Sequence, residues 1–179
     1  AEASRLTEPR TSSNTFADAT RPVQYDYDQA NLSYAHTFNR LKVSGRGDWR
    51  HYNYDDVPDR LGGVIDEDFR DRNVSYYTGR ADYAVSPDTA LFFQAAYNVR
   101  NYRLPGTLAN PQRDSNGWEV LGGANFDLTN LVRGEIGIGY LNQRYDNPAF
   151  KDIKGFGARA RVAWFVAHLP TVNGTASGT

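Results

Sequence analysis

A strict two-residue alternation from Val132 to Tyr145 constrains the fold of this chain more than any other feature. In this stretch, VRGEIGIGYLNQRY, one set of alternate positions is apolar and ends in an aromatic residue, while the other holds charged residues and glycines. Side chains of a β-strand point alternately to opposite faces, so the stretch predicts a strand with one apolar and one polar face. Strands of a transmembrane barrel, with lipid on one side and water on the other, have this pattern.

The same alternation recurs along the chain and predicts eight strands, joined in turn by short turns and long loops. The predicted strands lie near residues 24–38, 41–54, 72–86, 89–103, 115–127, 131–145, 155–166 and 170–179. Residues 1–23 are polar, contain Pro9 and Pro22, show no sustained period, and are expected to form a loop or tail. The predicted fold is all-β: an antiparallel up-and-down meander that is part of a transmembrane outer-membrane β-barrel, or a small barrel of that kind.

Composition excludes several classes of protein. The chain has 179 residues, a formal net charge of -1 and no cysteine. Without cysteine there is no disulfide scaffold or thiolate metal site, and the near-neutral charge gives no sign of nucleic-acid binding. No apolar run reaches the length of a transmembrane helix. The mean hydropathy of -0.66 does not argue against a barrel, because only alternate residues of a barrel strand face lipid.

The alternation assigns residues to three groups. Residues predicted to line a water-filled lumen are Arg46, Asp48, Arg50, Arg80, Asp82, Arg100, Glu119, Asp127, Arg133, Glu135, Arg159 and Arg161. Residues predicted to face lipid are Leu91, Phe93, Val120, Ile136, Ile138 and Val162. Aromatic residues predicted to anchor the strands at the two membrane surfaces are Tyr34, Phe38, Trp49, Tyr83, Tyr97, Trp118, Tyr140 and Trp164. Because arginines outnumber acids in the first group, an open lumen should prefer anionic solutes weakly; the alternative is a plugged barrel in which these charges brace the wall.

The long connection over residues 55–71 is strongly acidic. Its carboxylates are Asp55, Asp56, Asp59, Asp66, Glu67, Asp68 and Asp71. Oxygen ligands of this kind suit calcium, but the spacing lacks the register of a calcium loop, so a solvated acidic loop without metal is predicted. The histidines, His36, His51 and His168, lie on different hairpins without metal-ligand spacing, and no cofactor is predicted.

A family resemblance rests on the run GWEVLGGANFDLTNLVRGEIGIGYLNQRYDNPAF, which is preceded by RDS and followed by a strand with Trp164 and the tail TVNGTAS. This pattern resembles the putative beta-barrel porin type 2 family of Gram-negative outer membranes, most strongly from residue 72 to residue 179. The resemblance implies an integral outer-membrane protein with extracellular long loops and contact with lipid and lipopolysaccharide. It also implies an association with exopolysaccharide export, with polysaccharide or small solutes as candidate partners, and carries no catalytic residues over.

The sorting of connections by length also predicts which side of the membrane each end occupies. In outer-membrane barrels the short turns face the periplasm and the long loops face outward, whereas both termini of a complete barrel normally lie in the periplasm. With eight strands arranged this way, both ends would lie outside. The sequence is therefore interpreted as an interior segment of a larger barrel, whose total strand number and oligomeric state stay open.

Two other function classes compete with a passive pore or an outer-membrane element of a polysaccharide pathway. A soluble all-β binding module would use the apolar face as a sandwich core and would be soluble without detergent. A barrel-embedded hydrolase would need a site near the outer rim, where His51 lies close in sequence to Asp55 and Asp56, and would lose activity when His51 is changed. The pore is the leading hypothesis, and no enzyme activity is predicted.

Overall fold

The computed structural model describes residues 1–9, 19–105, 111–129, 131–164 and 172–178. Antiparallel strands make up 74% of the described residues and helix 2%. In chain order the strands are β1 Glu2–Thr7, β2 Gln24–Phe38, β3 Leu41–Tyr54, β4 Val57–Pro58, β5 Val64–Ile65, β6 Arg72–Ser86, β7 Thr89–Tyr102, β8 Ser115–Thr129, β9 Val132–Tyr145, β10 Ile153–Trp164 and β11 Val172–Gly178. One 3-10 turn occurs among these residues, at Asp68–Arg70. No helix among the described residues is long and apolar enough to cross a membrane.

The main sheet is an up-and-down meander of nine strands in the order β1-β2-β3-β6-β7-β8-β9-β10-β11, and β4 and β5 form a separate hairpin in the loop between β3 and β6. Every neighbouring pair is antiparallel, which confirms the predicted fold class. The register shifts only beside two short turns, near Ala84 and Ser86 and near Asp127 and Thr129. Because the register is otherwise continuous, alternate residues keep the same face across the sheet.

One strand of the sheet was not expected from the sequence. Within the segment expected to be a loop or tail, Glu2–Thr7 forms β1 and pairs with β2 from Glu2↔Gln29 to Thr7↔Gln24. The strand is short and carries polar residues on both faces, so it has no hydrophobic alternation, and its pairing rests on backbone hydrogen bonds. The other eight strands of the sheet differ from their predicted bounds by no more than two residues. Residues 10–18, 165–166, 170–171 and 179, on which parts of those predictions fall, and His168 lie outside the described residues.

The sheet curls toward one of its faces. Arg80 on β6 and Glu135 on β9 lie on the same face, and Arg80 Nη2 is 2.9 Å from Glu135 Oε2. Three strand spacings separate β6 from β9, which is about 14 Å in a flat sheet. Side chains that meet across this distance require a surface concave toward them, as in the wall of a barrel. Within the described residues the sheet is open, with β1 and β11 at its edges.

Few apolar side chains of this sheet are buried. The buried hydrophobic residues among those described are Val23, Tyr54, Val57, Phe92, Ala96 and Leu121. The other sheet in the described part of the chain is the short β4–β5 hairpin, so no second sheet covers the apolar side chains of the main sheet there. A soluble sandwich would place a second sheet over the apolar face, and this arrangement therefore favours the barrel over the sandwich.

Candidate functional site

Large exposed apolar side chains collect on the convex face of the sheet, which we call the apolar face. Ile138 is 75% exposed and Phe156 is 82% exposed, values typical of a surface that needs a partner rather than of a soluble protein's exterior. The residues predicted to face lipid all lie here, at Leu91, Phe93, Val120, Ile136, Ile138 and Val162. Contact of these residues with lipid stays a prediction.

The eight aromatic residues predicted to be membrane-surface anchors fall into two bands on the apolar face. Tyr34, Phe38, Tyr83 and Trp164 lie toward the short turns, and Trp49, Tyr97, Trp118 and Tyr140 lie toward the long loops. In the second band the ring centroid of Tyr140 is 5.7 Å from that of Trp118 and 5.2 Å from that of Phe156. Between the bands lie small and aliphatic residues, among them Ile138 and its register partner Ala158. Aromatic residues flanking an aliphatic zone are typical of membrane barrels.

Ion pairs occupy the concave face, which we call the charged face. All twelve residues predicted to line the lumen have side chains on this face. Each acid among them is paired: Arg46 with Asp48 at 2.7 Å, Arg80 with Asp82 and Glu135 at 2.9 Å, Arg133 with Asp127 at 3.4 Å, and Arg159 with Glu119 at 3.4 Å. The sequence therefore predicted the members of this face, but not which of them meet.

Arg80 is the centre of the largest network on the charged face. Its guanidinium donates hydrogen bonds to Asp82, to Glu135 and to the side-chain oxygen of Asn125, and it lies 4.0 Å from the ring centroid of Phe92. The Asn125 amide donates in turn to Asp82 at 2.9 Å. Four strands, β6 to β9, contribute to this network, so it holds the curved wall together. Sequence reasoning missed Asn125 and Phe92, since nothing in their own strands shows that they contact Arg80 on β6.

Phe92 and Leu121 are apolar residues on the charged face, and both are buried against glycines. A Cβ atom at Gly137 would lie 3.0 Å from Phe92 Cζ and 3.3 Å from Leu121 Cγ. One at Gly123 would lie 2.8 Å from Phe92 Cε1 and would also collide with the carbonyl oxygen of Ile136. Glycine at 123 and 137 thus lets these side chains lie flat against the sheet instead of projecting from it. The glycine-rich runs around these positions are the one sequence signal that could have indicated this packing of Phe92 and Leu121.

Four exposed basic side chains of the charged face remain outside the ion pairs. Arg50, Arg100, Arg161 and Lys42 are exposed, and none has an acidic partner at ion-pair distance within the described part of the chain. Because each acid of the predicted lumen group is already paired, these four give the face a positive surplus. The charge of this face therefore comes from specific exposed positions and not from its arginines in general.

The connection between β3 and β6 is folded and partly buried, which makes the prediction of a solvated acidic loop wrong for its second half. Glu67 is 0% exposed and Asp71 is 1% exposed. Nearby, Val23, Tyr54 and Val57 form a small buried core. The acidic composition suggested solvation because the basic partners of these carboxylates lie in other segments of the chain.

Arg70 holds this folded connection together. It donates to Glu67 Oε2 at 3.0 Å and to both oxygens of Glu8, at 3.0 Å and 2.9 Å, and its guanidinium lies 4.1 Å from the ring centroid of Tyr54. Asp71 accepts a hydrogen bond from the Tyr54 backbone at 2.7 Å and another from Arg103 at 2.8 Å. These contacts tie the loop to β1, to the end of β3 and to the segment after β7.

Burial shifts the pKa values in this cluster. Loss of solvation raises the pKa of Glu67 above its ordinary value, although Arg70 acts in the opposite direction. Loss of solvation likewise raises the pKa of Asp71, against the hydrogen bonds from Tyr54 and Arg103. For Arg70, burial lowers the pKa, but the hydrogen bonds to Glu67 and Glu8 outweigh it and the net shift is upward. Glu67 Oε1 has no hydrogen-bond partner within the described residues, so the ionised form of Glu67 is incompletely compensated.

Three further carboxylates, of Asp56, Asp66 and Asp68, have oxygens within 4.8 Å of one another. The chain's own groups already contact each of them: the backbone amide of Glu67 donates to Asp56, that of Asp68 donates to Asp66, and Arg103 pairs with Asp68 at 3.2 Å. Oxygen ligands suit hard cations, but acidic groups at a surface gather in this way without one. The cluster agrees with the acidic character predicted for the loop.

His51, the candidate of the hydrolase alternative, lies on the apolar face. Its Nδ1 is 2.9 Å from the side-chain oxygen of Asn73, and its ring stacks on Trp49 with centroids 6.0 Å apart. Asp55 instead forms an ion pair with Arg5. The described contacts of His51 thus join it to an amide and an indole, and they do not assemble the acid and base of a hydrolytic site.

Comparison with known families identifies the family of the chain. The family model described as putative beta-barrel porin 2 matches residues 1–179, the whole chain. The chain belongs to this family. Membership confirms the resemblance seen in the sequence, and the name of the porin family agrees with a curved antiparallel sheet that has one apolar and one charged face. Comparisons with curated proteins and with solved structures return no match to this porin-family chain.

Proposed function

We propose that this porin-family chain forms part of the wall of a passive outer-membrane pore, with the apolar face toward lipid and the charged face toward water. The observation that supports this most is the separation of the two faces: exposed aromatic and aliphatic side chains on the convex side, and ion pairs with exposed arginines on the concave side. Lipid would cover the first surface without cost, and water would solvate the second.

The same proposal places the molecule in the membrane. The long connections lie on the outside of a Gram-negative outer membrane, and the short turns lie in the periplasm, as in other barrels of this membrane. Outer-membrane lipid and lipopolysaccharide are then the partners of the apolar face. A role in exopolysaccharide export stays a prediction from the family resemblance, with polysaccharide or small solutes as the cargo.

The unpaired basic residues give the pore a weak preference for anions. Replacing Arg50 and Arg100 together by glutamine is expected to shift the reversal potential toward cation selectivity in a planar bilayer under a salt gradient. The physical reason is that these side chains are exposed and unneutralised, so they set the field in the passage, and arginine remains charged at any physiological pH. Changing Arg40 to glutamine, in the short turn between β2 and β3, removes one positive charge outside the passage and serves as the control, with the shift compared per charge removed.

Two results would contradict this proposal. A correctly folded protein, which migrates differently on a gel before and after boiling, that passes no ion current would favour a plugged or structural role. A strong cation preference of the unmodified protein would contradict the charge argument, because the surplus on the charged face is positive.

A further inference from the structure

The long connection between β3 and β6 folds over the charged face instead of extending away from the sheet. Tyr25, Tyr52 and Tyr54 lie at the long-loop end of β2 and β3, and the continuous register places their side chains on the same face as Asp48. Val23 and Val57, 0% and 1% exposed, form the buried core with Tyr54. Loop residues are therefore buried against rings that point into the concave side of the wall.

A second strand-like segment adds to this cover. Ala19 bridges Asp59, and the Thr20 backbone and side chain both donate to the Pro58 carbonyl, at 3.0 Å and 2.9 Å. Ala19 and Ile65 pack on the same core as partly buried residues. Residues 19–23 and 55–71, which we call the mouth segment, thus form one folded unit at this end of the charged face.

Ion pairs hold the mouth segment in that position. Arg70 joins Glu67 within the segment to Glu8 after β1, with side chains that are 10%, 0% and 13% exposed. Arg103, after β7, holds Asp71 and Asp68. Because ion pairs hold the segment on both sides, to Glu8 after β1 and to Arg103 after β7, it has little freedom to move away from the concave side.

We propose that the mouth segment is the constriction of the pore, narrowing the passage at its outer end and setting its selectivity there. This inference rests on the proposed pore function. A segment that covers the concave side of the wall reduces the cross-section available to solutes, so the size limit of the pore is set by residues 55–71 and not by the strands alone. Asp56 and Asp66 of the segment are exposed. In this proposal their negative charge lies in the passage, where it opposes the positive surplus of the strand residues.

The size limit is tested by shortening the mouth segment. Replacing residues 56–66 by a short glycine-serine linker leaves Glu67, Arg70 and Asp71 in place. The single-channel conductance in planar bilayers is expected to rise, and larger neutral polymers such as polyethylene glycols are expected to enter the pore. Unchanged conductance and an unchanged polymer cut-off, in a variant that still shows heat-dependent gel migration, would overturn the constriction.

The charge of the constriction is tested separately, with variants that leave the fold intact. Replacing Asp56 and Asp66 together by asparagine is expected to increase the anion preference, measured as a shift in reversal potential, because negative charge is removed from the narrowest part. Asp88→Asn removes the same kind of charge at the exposed short turn between β6 and β7, and should shift the reversal potential much less. Equal shifts in the two variants would overturn the placement of these carboxylates in the passage.

Conductance measurements separate failure of the pore from failure of the constriction. Absence of current through the folded, unmodified protein would remove the pore and the constriction together. Current through the unmodified protein that neither the shortened segment nor the Asp56 and Asp66 change alters would leave the pore standing and overturn only the constriction. If the shortened variant does not fold, the asparagine variants still decide the matter.

Discussion

Replacing Ile138 by arginine should lower the free energy of unfolding of the folded protein in lipid vesicles by about 2 to 4 kcal/mol, the cost of a cation near the middle of a barrel's lipid face. Ile138 lies midway along β9, is 75% exposed, and has Gly122 and Ala158 as its register partners. No neighbouring side chain on the apolar face can therefore pair with the new charge. Denaturant titrations of the reconstituted protein, followed by fluorescence, measure the loss.

The matched control for this substitution is Gln94→Arg on the charged face. Gln94 lies on β7 opposite Arg80 in the register, where water can solvate a further cation. The Gln94 substitution should lower the free energy of unfolding far less than the Ile138 substitution does. A ranking in the opposite order would mean that the two faces have been assigned to the wrong solvents.

Replacing Arg70 by methionine should loosen the mouth segment by about 3 to 5 kcal/mol, the usual effect of removing one partner from a buried ion pair. Methionine keeps much of the side-chain volume but removes every side-chain hydrogen bond to Glu67 and Glu8. Glu67 is fully buried and its Oε1 already has no partner within the described residues, so its charge would be uncompensated. Amide hydrogen exchange over residues 55–71 measures the local opening, which should rise about a hundredfold or more.

Arg60→Met provides the comparison on the same loop. Arg60 is exposed, and no ion pair of it occurs among the described residues, so exchange over residues 55–71 should stay close to that of the unmodified protein. If the Arg70 and Arg60 variants exchange at the same rate, the buried pair does not hold the segment. Global unfolding in the same samples should change little, because the strand network around Arg80 is untouched.

The strands and their faces could be predicted from the sequence because both depend on local order. A period of two fixes the side on which Ile138 and Arg159 lie, and a turn shorter than four residues fixes which strands become neighbours. The continuous register then carries the assignment across the sheet. For this reason, every residue placed on the charged face from the sequence has its side chain there.

The folded mouth segment could not be predicted, because its stability depends on contacts distant in sequence. Arg70 and Glu8 are 62 residues apart, and neither residue has a local pattern that indicates its partner. Acidic composition suggested a solvated loop, and only the three-dimensional arrangement shows that burial and pairing compete successfully with hydration. The strand β1 could not be predicted for a similar reason: it pairs with β2 through backbone hydrogen bonds and lacks an apolar face of its own.

The central claim, that the apolar face meets lipid, can be measured through tryptophan fluorescence. The chain has three tryptophans, Trp49, Trp118 and Trp164, and all lie on the apolar face, 42%, 42% and 53% exposed. In vesicles of phospholipids with brominated acyl chains, their emission should be strongly quenched relative to unbrominated vesicles, whereas aqueous iodide should have little effect. Strong quenching by iodide without quenching by the brominated lipid would place this face in water and contradict the account.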